Sequence, residues 1–480
     1  MHRLISIAWL FLTACAGFET SAPFEPLKLH PQNPHYFLFR GKPTILITSG
    51  EHYGAVLNLD FDYVKYLTTL RTDGLNHTRT WVGTYREIPG SFGITDNTLA
   101  PLPGRYVCPW ARSAEPGYSQ GGNKFDLTKW DEAYFTRLKD FLGQASRHGI
   151  VVEMNLWCPN YDDDKKQDLL WKASPMNAAN NVNGIGRCPG GEVYALKHDD
   201  LTKIQDATTR AIVRELNAFD NLYFEICNEP YFGGVTLEWQ RHIAEVIVDT
   251  EKDLPNKHLI SQNIANGRAA VKDPNPAVSI FNFHYCHPPD TVGMNYELNK
   301  PIGENETGFR GVNDVLYRTE AWDFILAGGA LYNNLDYSFT TKSHDGQFLA
   351  YQSPGGGSPA LRRHLKILKD FITGFDFIRM KPDKAVLKGI SAAMEAWALV
   401  EPGAQYAIYV HPPYGKGPLT PPKKTQIDLV VDAPPGTFKV EWMNPQTGDV
   451  ERSETRTTTG GLSLRSPVFS EDIALRIVRR

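Results

Sequence analysis

Two stretches of this 480-residue chain set carboxylates where they could do chemistry. The apolar run Leu222-Tyr-Phe-Glu-Ile-Cys-Asn228-Glu229-Pro230 ends in an amide, a carboxylate and a proline in succession. Proline cannot donate to a sheet ladder, so a strand must stop there and Glu229 falls at its C-terminal rim. Strict alternation cannot aim Asn228 and Glu229 the same way, so the chain has to twist or bulge at this point. Further on, Lys300-Pro-Ile-Gly-Glu304-Asn-Glu306-Thr-Gly308 offers two more glutamates, on one strand face if the segment stays extended. Glu306 is the nearer of the two to the end of that strand. A protonated carboxyl opposite an ionised one is what cleavage of a glycosidic bond requires. A glutamate on a strand-to-helix loop with no chemical duty is the other reading that the spacing of Glu229 allows.

The elements that would position these groups alternate along the chain. Strand-like runs are expected at Thr44–Thr48, Asn76–Trp81, Ile150–Trp157, Leu222–Cys227, His258–Asn263, Ser279–Tyr285, Pro301–Gly303 and Ala330–Leu335. Amphipathic helical patterns lie between them, as at Asp131–His148, Lys203–Leu216 and Leu237–Thr250. Alternation of this kind implies parallel βαβ units, and eight strands suggest a closed (β/α)8 barrel over residues 25–378. No Gly-x-Gly-x-x-Gly follows the first strand, which counts against dinucleotide binding. The long connections from Val82 to Thr128 and from Cys158 to Asp199 follow strands, so in a barrel they lie on the face where active sites are built. They and the strand ends before them carry Trp81, Tyr85, Trp110, Tyr118, Trp157, Tyr161 and Trp171. Trp81 and Trp157 are the expected platforms for sugar rings, and about half of the set should only pack the loops down. Beyond a boundary at 376–386, short strands separated by Pro- and Gly-rich turns predict a small β-sandwich over 385–480.

With these motifs in order, the sequence resembles the clan A glycoside hydrolases, the group of (β/α)8 enzymes that includes cellulases and mannanases. The resemblance covers about residues 30–375 and implies a role for each matching position. Asn228-Glu229-Pro230 takes the place of the strand 4 motif, with Glu229 as general acid/base and Asn228 on the sugar 2-hydroxyl. Gly74-Leu-Asn76-His-Thr-Arg79 matches the strand 2 motif, whose arginine keeps the nucleophile ionised. Glu306 stands in the Glu-x-Gly slot of the strand 7 nucleophile, with Glu304 as its rival. His284 matches the strand 6 histidine, but Tyr285 and Cys286 depart from the pattern there, and the strand 8 tryptophan is replaced by Asn334, Asp336 and Tyr337. His52, with Glu51, could reach the site from strand 1. The reaction implied is hydrolysis of a β-linked poly- or oligosaccharide with retention of configuration and without metal or organic cofactor. A carbohydrate-binding barrel without turnover, and a metal-dependent hydrolase with His284 and His287 as ligands, are the rival expectations. The C-terminal segment resembles modules appended to bacterial barrel glycosidases.

The bulk properties fit that expectation. The net charge of -4 shows no basic stripe, so a nucleic-acid partner is not expected. The only short charge run is Asp162-Asp-Asp-Lys-Lys166. Arg3 and the apolar Leu4–Leu12 read as a signal peptide over residues 1–16. Leu12-Thr-Ala-Cys15 resembles a bacterial lipobox, so Cys15 is expected to carry a lipid anchor, with ordinary secretion as the alternative. Either reading exports the chain to the cell envelope or medium. Of the six cysteines, Cys227 and Cys286 are expected as buried thiols, while Cys108 and Cys188 lie in loops where export permits a disulfide.

Overall fold

A computed structural model of the chain describes residues 25–161, 169–390, 393–414 and 424–480. The expected signal segment with Cys15 and the charge run at 162–166 lie outside the described residues. No described helix is long and apolar enough to cross a membrane.

The central element is a parallel eight-stranded sheet. Its strands are β1 (Leu46–Gly50), β2 (His77–Trp81), β3 (Val151–Asn155), β4 (Leu222–Glu225), β5 (Ile260–Asn266), β6 (Ile280–His284), β7 (Ile302–Thr307) and β8 (Leu331–Leu335). Neighbours pair in chain order from β2 to β8, and β8 then pairs with β1. The remaining seam, between β1 and β2, is bridged by Asn76, through its backbone N to Ile47 O (3.4 Å) and through its side chain. The Asn76 carboxamide accepts from Ile47 N (2.9 Å) and donates to Ile45 O (2.9 Å), imitating a peptide group of the ladder. This asparagine of the strand 2 motif therefore closes the barrel rather than meeting a ligand.

Helices α1 (Tyr63–Thr72), α2 (Glu132–His148), α3 (Asp199–Leu216), α4 (Leu237–Glu251), α5 (Asp290–Asn295), α6 (Asp314–Leu326) and α7 (Pro359–Thr373) wrap the barrel. Helix α2 shows how locally these are written. Asp131 caps its first turn by accepting from Ala133 N and Tyr134 N, and Gly149 ends it at φ +70°. Its buried face is Tyr134, Phe135, Leu138, Phe141, Leu142 and Ala145, a 3.6-residue stripe. Between β5 and β6 the chain crosses by a loop instead of a helix. The expected long connections hold structure of their own, a hairpin of Trp110–Pro116 and Asn123–Trp130 and a short helix at Leu169–Ala173.

After α7, antiparallel pairing begins at Lys381 and builds a six-stranded and a three-stranded sheet around a second apolar core that includes Phe438, Trp442 and Ile477. The sandwich is bonded to the barrel through α6. Arg318 donates to Asp472 (2.7 Å), and the Trp322 and Tyr409 rings stack at 5.0 Å. His411 Nε2 donates to the Asp323 carboxylate (3.0 Å) while its Nδ1 donates to Pro412 O (2.7 Å), so both ring nitrogens carry protons.

Burial opposes that charge, but Asp323 outweighs it and raises the His411 pKa to about 9. A raised folded-state pKa stabilises fully below the ordinary value near 6.5 and is lost as pH rises through 9. The difference corresponds to about 3 kcal/mol. His411→Gln is therefore expected to lower Tm clearly at pH 6–7, and the gap from wild type should shrink toward pH 10. A gap independent of pH would show that His411 does not carry its charge at this junction.

The five described cysteines, Cys108, Cys158, Cys188, Cys227 and Cys286, are free thiols, so the Cys108–Cys188 pairing that export would permit is not formed.

Candidate active site

The strands deliver their C-terminal ends to one mouth, and there the side chains from β1, β2, β4, β6 and β7 converge. Strand β4 stops at Glu225, before the Asn-Glu-Pro motif. Glu229 then takes a left-handed backbone, φ +36°, which turns consecutive side chains Asn228 and Glu229 toward the same space. Such a conformation costs a non-glycine residue on the order of 1 kcal/mol. Tyr53 (φ +62°), Tyr161 (φ +48°) and Tyr285 (φ +56°) share it. All three place their hydroxyls on the two carboxylates, so backbone strain gathers at this mouth.

Strand β7 solves the same problem with a bulge. Opposite β6 the register jumps from Phe283↔Glu304 to His284↔Glu306, and opposite β8 from Glu304↔Tyr332 to Thr307↔Asn334. The extra residue breaks the alternation. Asn305 points into the barrel onto Glu225, Glu306 reaches the mouth, and Glu304 turns away, accepting from Cys286 N (2.5 Å). Glu304 and Glu306 therefore do not share a face, contrary to the expectation for an extended segment. Burial and the neighbouring Glu320 push the Glu304 carboxyl well above the usual carboxylate range.

Glu306 is held from three sides. Its Oε2 accepts from Tyr53 Oη (2.9 Å) and Arg79 Nη1 (3.0 Å), and its Oε1 accepts from Tyr285 Oη (2.6 Å). Burial alone would raise its pKa, but His284, Arg79 and the Tyr285 hydroxyl outweigh burial and hold it below the usual value. Glu229 accepts from Tyr161 Oη on Oε2 (2.8 Å) and from Tyr231 Oη on Oε1 (3.2 Å). His284 Nδ1 stands between the pair, 3.1 Å from Glu229 Oε1 and 3.6 Å from Glu306 Oε1. One carboxylate oxygen of each glutamate and His284 Nδ1 all lie within 4.8 Å of one another. Asn228 donates to Tyr161 Oη (2.6 Å) and accepts from Arg79 Nη2 (2.6 Å).

The structure thus brings Arg79, Asn228, Glu229, His284, Tyr285 and Glu306 together. Trp81 stands one layer out, stacked on Tyr53 at 5.4 Å. Trp157 does not join them. Its indole is 1% exposed, donates to Thr209 Oγ1 (3.3 Å) on α3 and packs against Trp239 of α4. The ring, two residues past the end of β3, fills the layer between sheet and helices, so it is core and offers no face to a ligand. His52 lies beside Glu87 (3.3 Å) and stacks on Tyr53 (5.6 Å), within the electrostatic reach of Glu306. Glu51 instead ties its own turn, accepting from Gly54 N and Ala55 N. His287 takes its charged neighbours from Glu320 and Arg310, apart from the His284 cluster. After β8, Asp336 is committed to Arg362 (2.7 Å), while the Tyr337 hydroxyl is buried without a partner near Glu306.

Sequence reasoning missed Tyr53, Tyr231 and Glu225. A signal existed for Glu225, a lone carboxylate inside an apolar strand, which burial makes costly unless it is paired. None existed for the tyrosines, since the reach of Tyr53 depends on its own left-handed turn and that of Tyr231 on the left-handed turn at Glu229.

These features define a (β/α)8 barrel with an acidic mouth and an appended β-sandwich. Among solved structures, a glycoside hydrolase family 5 protein from Bacteroides vulgatus has the same fold, with TM-score 0.61, 14% identity and coverage of 95% of this chain and 94% of that one. A candidate glycoside hydrolase from the same species gives TM-score 0.66 at 14% identity, over 95% of this chain and 82% of that one. A further glycoside hydrolase structure gives TM-score 0.61 at 15% identity, over 95% and 97%. No family model and no curated protein matches the sequence.

Proposed function

We propose that the protein is a retaining glycoside hydrolase acting on β-linked poly- or oligosaccharide. The observation that carries this reading is the pairing of Glu229 and Glu306, with carboxylate oxygens within 4.8 Å. Retaining enzymes keep their carboxyls about 5–5.5 Å apart, whereas inverting ones need about 6.5–9.5 Å to admit a water between them. In the proposed reaction Glu306 attacks the anomeric carbon as Glu229 gives its proton to the departing oxygen. Glu229 then removes a proton from water, which displaces the sugar from Glu306. Arg79 and the hydroxyls of Tyr53 and Tyr285 favour the ionised form that a nucleophile needs. Asn228 is oriented toward the sugar 2-hydroxyl by Arg79. The carbohydrate is the partner that this mouth would take, and export with a lipid anchor at Cys15 would set the enzyme at the cell envelope.

A panel of aryl β-glycosides and plant polysaccharides tests the assignment. Turnover should release first the anomer of the substrate's own configuration, as read by proton NMR before mutarotation. Release of the opposite anomer would overturn the retaining mechanism.

The same three residues also favour a second reading, because Glu229, His284 and Glu306 could each give one ligand atom to a metal ion. Glu306 argues against it on charge. Both its oxygens already accept hydrogen bonds, one of them from a guanidinium at 3.0 Å that would repel a second cation. Prolonged chelation is expected to leave turnover intact. Activity lost to chelator and restored by zinc would establish the metal hydrolase instead.

A further inference from the structure

Beneath the two carboxylates lies a second acidic layer that the proposed reaction does not use. Glu225 on β4 and Glu153 on β3 are both 0% exposed in the barrel interior. Glu225 Oε2 accepts from Arg79 Nε (2.8 Å) and Nη2 (2.7 Å), and its Oε1 accepts from Asn305 Nδ2 (3.0 Å). We infer that Glu225 is a positioning residue that aims the Glu306 nucleophile through two arms, the Arg79 guanidinium and the Asn305 bulge. The inference rests on the reading of Glu306 as nucleophile.

The first arm follows from the shape of arginine. A guanidinium presents its donors in a rigid planar fork. With the Nε and Nη2 edge seated on Glu225, Nη1 is left aimed at Glu306 Oε2 (3.0 Å), and Nη2 also reaches Asn228 Oδ1 (2.6 Å). Arg79 is itself 1% exposed and its Cζ lies 4.6 Å from the Tyr53 ring centroid, so no water competes to reorient it. The second arm follows from the bulge. Asn305 is its inward residue, and its Nδ2 is shared between Glu225 Oε1 and Glu153 Oε1, each at 3.0 Å. Because Asn305 and Glu306 are consecutive, anchoring the first sets where the second leaves the backbone. Losing the anchor would let the strand relax toward simple alternation, which would bring Glu304 back into competition for the mouth.

Glu225 and Glu306 also divide one positive charge between them. Glu153 does not share in this at neutral pH, since burial and Glu225 push its carboxyl up to about 8 and keep it protonated. The other titratable groups facing Glu306 are His52 and Tyr53 after β1, Tyr161 after β3, Glu229 and Tyr231 after β4, His284 and Tyr285 at β6, and Tyr337 after β8. None of them bonds Glu225, whose side-chain partners are Arg79 and Asn305. With the charge at 225 gone, burial, the larger of the two causes, still holds the Glu153 carboxyl above the usual carboxylate range, so across the acid range Arg79 is left to Glu306, which should ionise at lower pH. A buried ion pair that served only the fold would leave that titration where it was.

The test is Glu225→Gln assayed on an aryl β-glycoside, with Asn305→Ala beside it. For Glu225→Gln, kcat is expected to fall about 100-fold, the scale set by a misplacement near 1 Å, with KM within about threefold. The acid limb of kcat/KM, which reports the free enzyme, should move down by about one pH unit. Asn305→Ala cuts only the uncharged arm, so kcat should fall while the limb stays in place. Thermal melts establish that each variant is folded at the assay temperature. An unmoved limb in folded Glu225→Gln, or a loss confined to KM, would overturn the role. Should Glu225→Gln fail to fold, wild-type kcat in Asn305→Ala would overturn it. Failure of the underlying reading looks different, because wild-type protein would then carry a trapped sugar on some residue other than Glu306.

Discussion

Replacing Glu306 by alanine is expected to lower kcat by on the order of 10⁵-fold, the scale on which removal of a covalent nucleophile acts. The expectation rests on the surroundings of this carboxylate rather than on its presence alone. Three donors, Tyr53, Arg79 and Tyr285, converge on its two oxygens, and with His284 they favour its ionised form although it is only 6% exposed. The neighbouring strand glutamates are turned elsewhere, because Glu304 faces Cys286 and Glu320 and Glu225 is sealed under Arg79. A fluorinated glycoside that slows deglycosylation should therefore label one peptide of the wild-type protein, with the sugar on Glu306. Small anions supply a second arm. Azide entering the space left in Glu306→Ala should attack the substrate directly and give the inverted glycosyl azide. A label on Glu304, or a Glu306→Ala variant with activity within tenfold of wild type, would overturn the assignment.

For Glu229→Gln the loss should depend on what is leaving. General acid assistance contributes about 10²–10⁴-fold. A loss of that size is expected on oligosaccharides and on phenols of high pKa, which need a proton to depart. Dinitrophenyl glycosides need little, so their glycosylation step should be spared, although hydrolysis of the intermediate will slow and become limiting. The position of Glu229 suits both duties, since it is 7% exposed, close enough to the rim to reach a leaving group and a later water. Its two oxygens are bracketed by the hydroxyls of Tyr161 and Tyr231, which can donate to the carboxylate or accept from the acid as its proton comes and goes. Equal losses on good and poor leaving groups would remove Glu229 from the acid/base role.

Much of this was legible in the sequence. All eight barrel strands fall within a few residues of where apolar runs alternate with helical stripes, because burial between lumen and helices imposes those patterns residue by residue. The helices α2, α3 and α4 were equally plain, each written in its apolar face, with side-chain caps from Asp131 on α2 and Thr236 on α4. The C-terminal strands Gln405–His411, Gly436–Met443 and Ile473–Arg479 were also readable, whereas Val450–Thr458 was not. That strand is exposed along nearly its whole length and so carries no apolar alternation.

The residue types of the mouth, and their order along strands β2, β4, β6 and β7, belong to the sequence alone. Their aim was decided only by the tertiary structure. Trp157 and Trp81 both close expected strands and read alike in one dimension, yet Trp157 falls two residues past β3 and enters the helical layer, while Trp81 ends β2 against Tyr53. Glu304 and Glu306 read as one face, and a bulge separated them. The hydroxyls of Tyr53, Tyr161 and Tyr285 reach the carboxylates because non-glycine residues are held at positive φ. Local sequence disfavours that conformation, and only the contacts of the assembled barrel can impose it. Periodicity specifies which face of an element is buried, since every residue contributes to it. Departures from periodicity are stabilised by partners far away in the chain, and here those departures make the site.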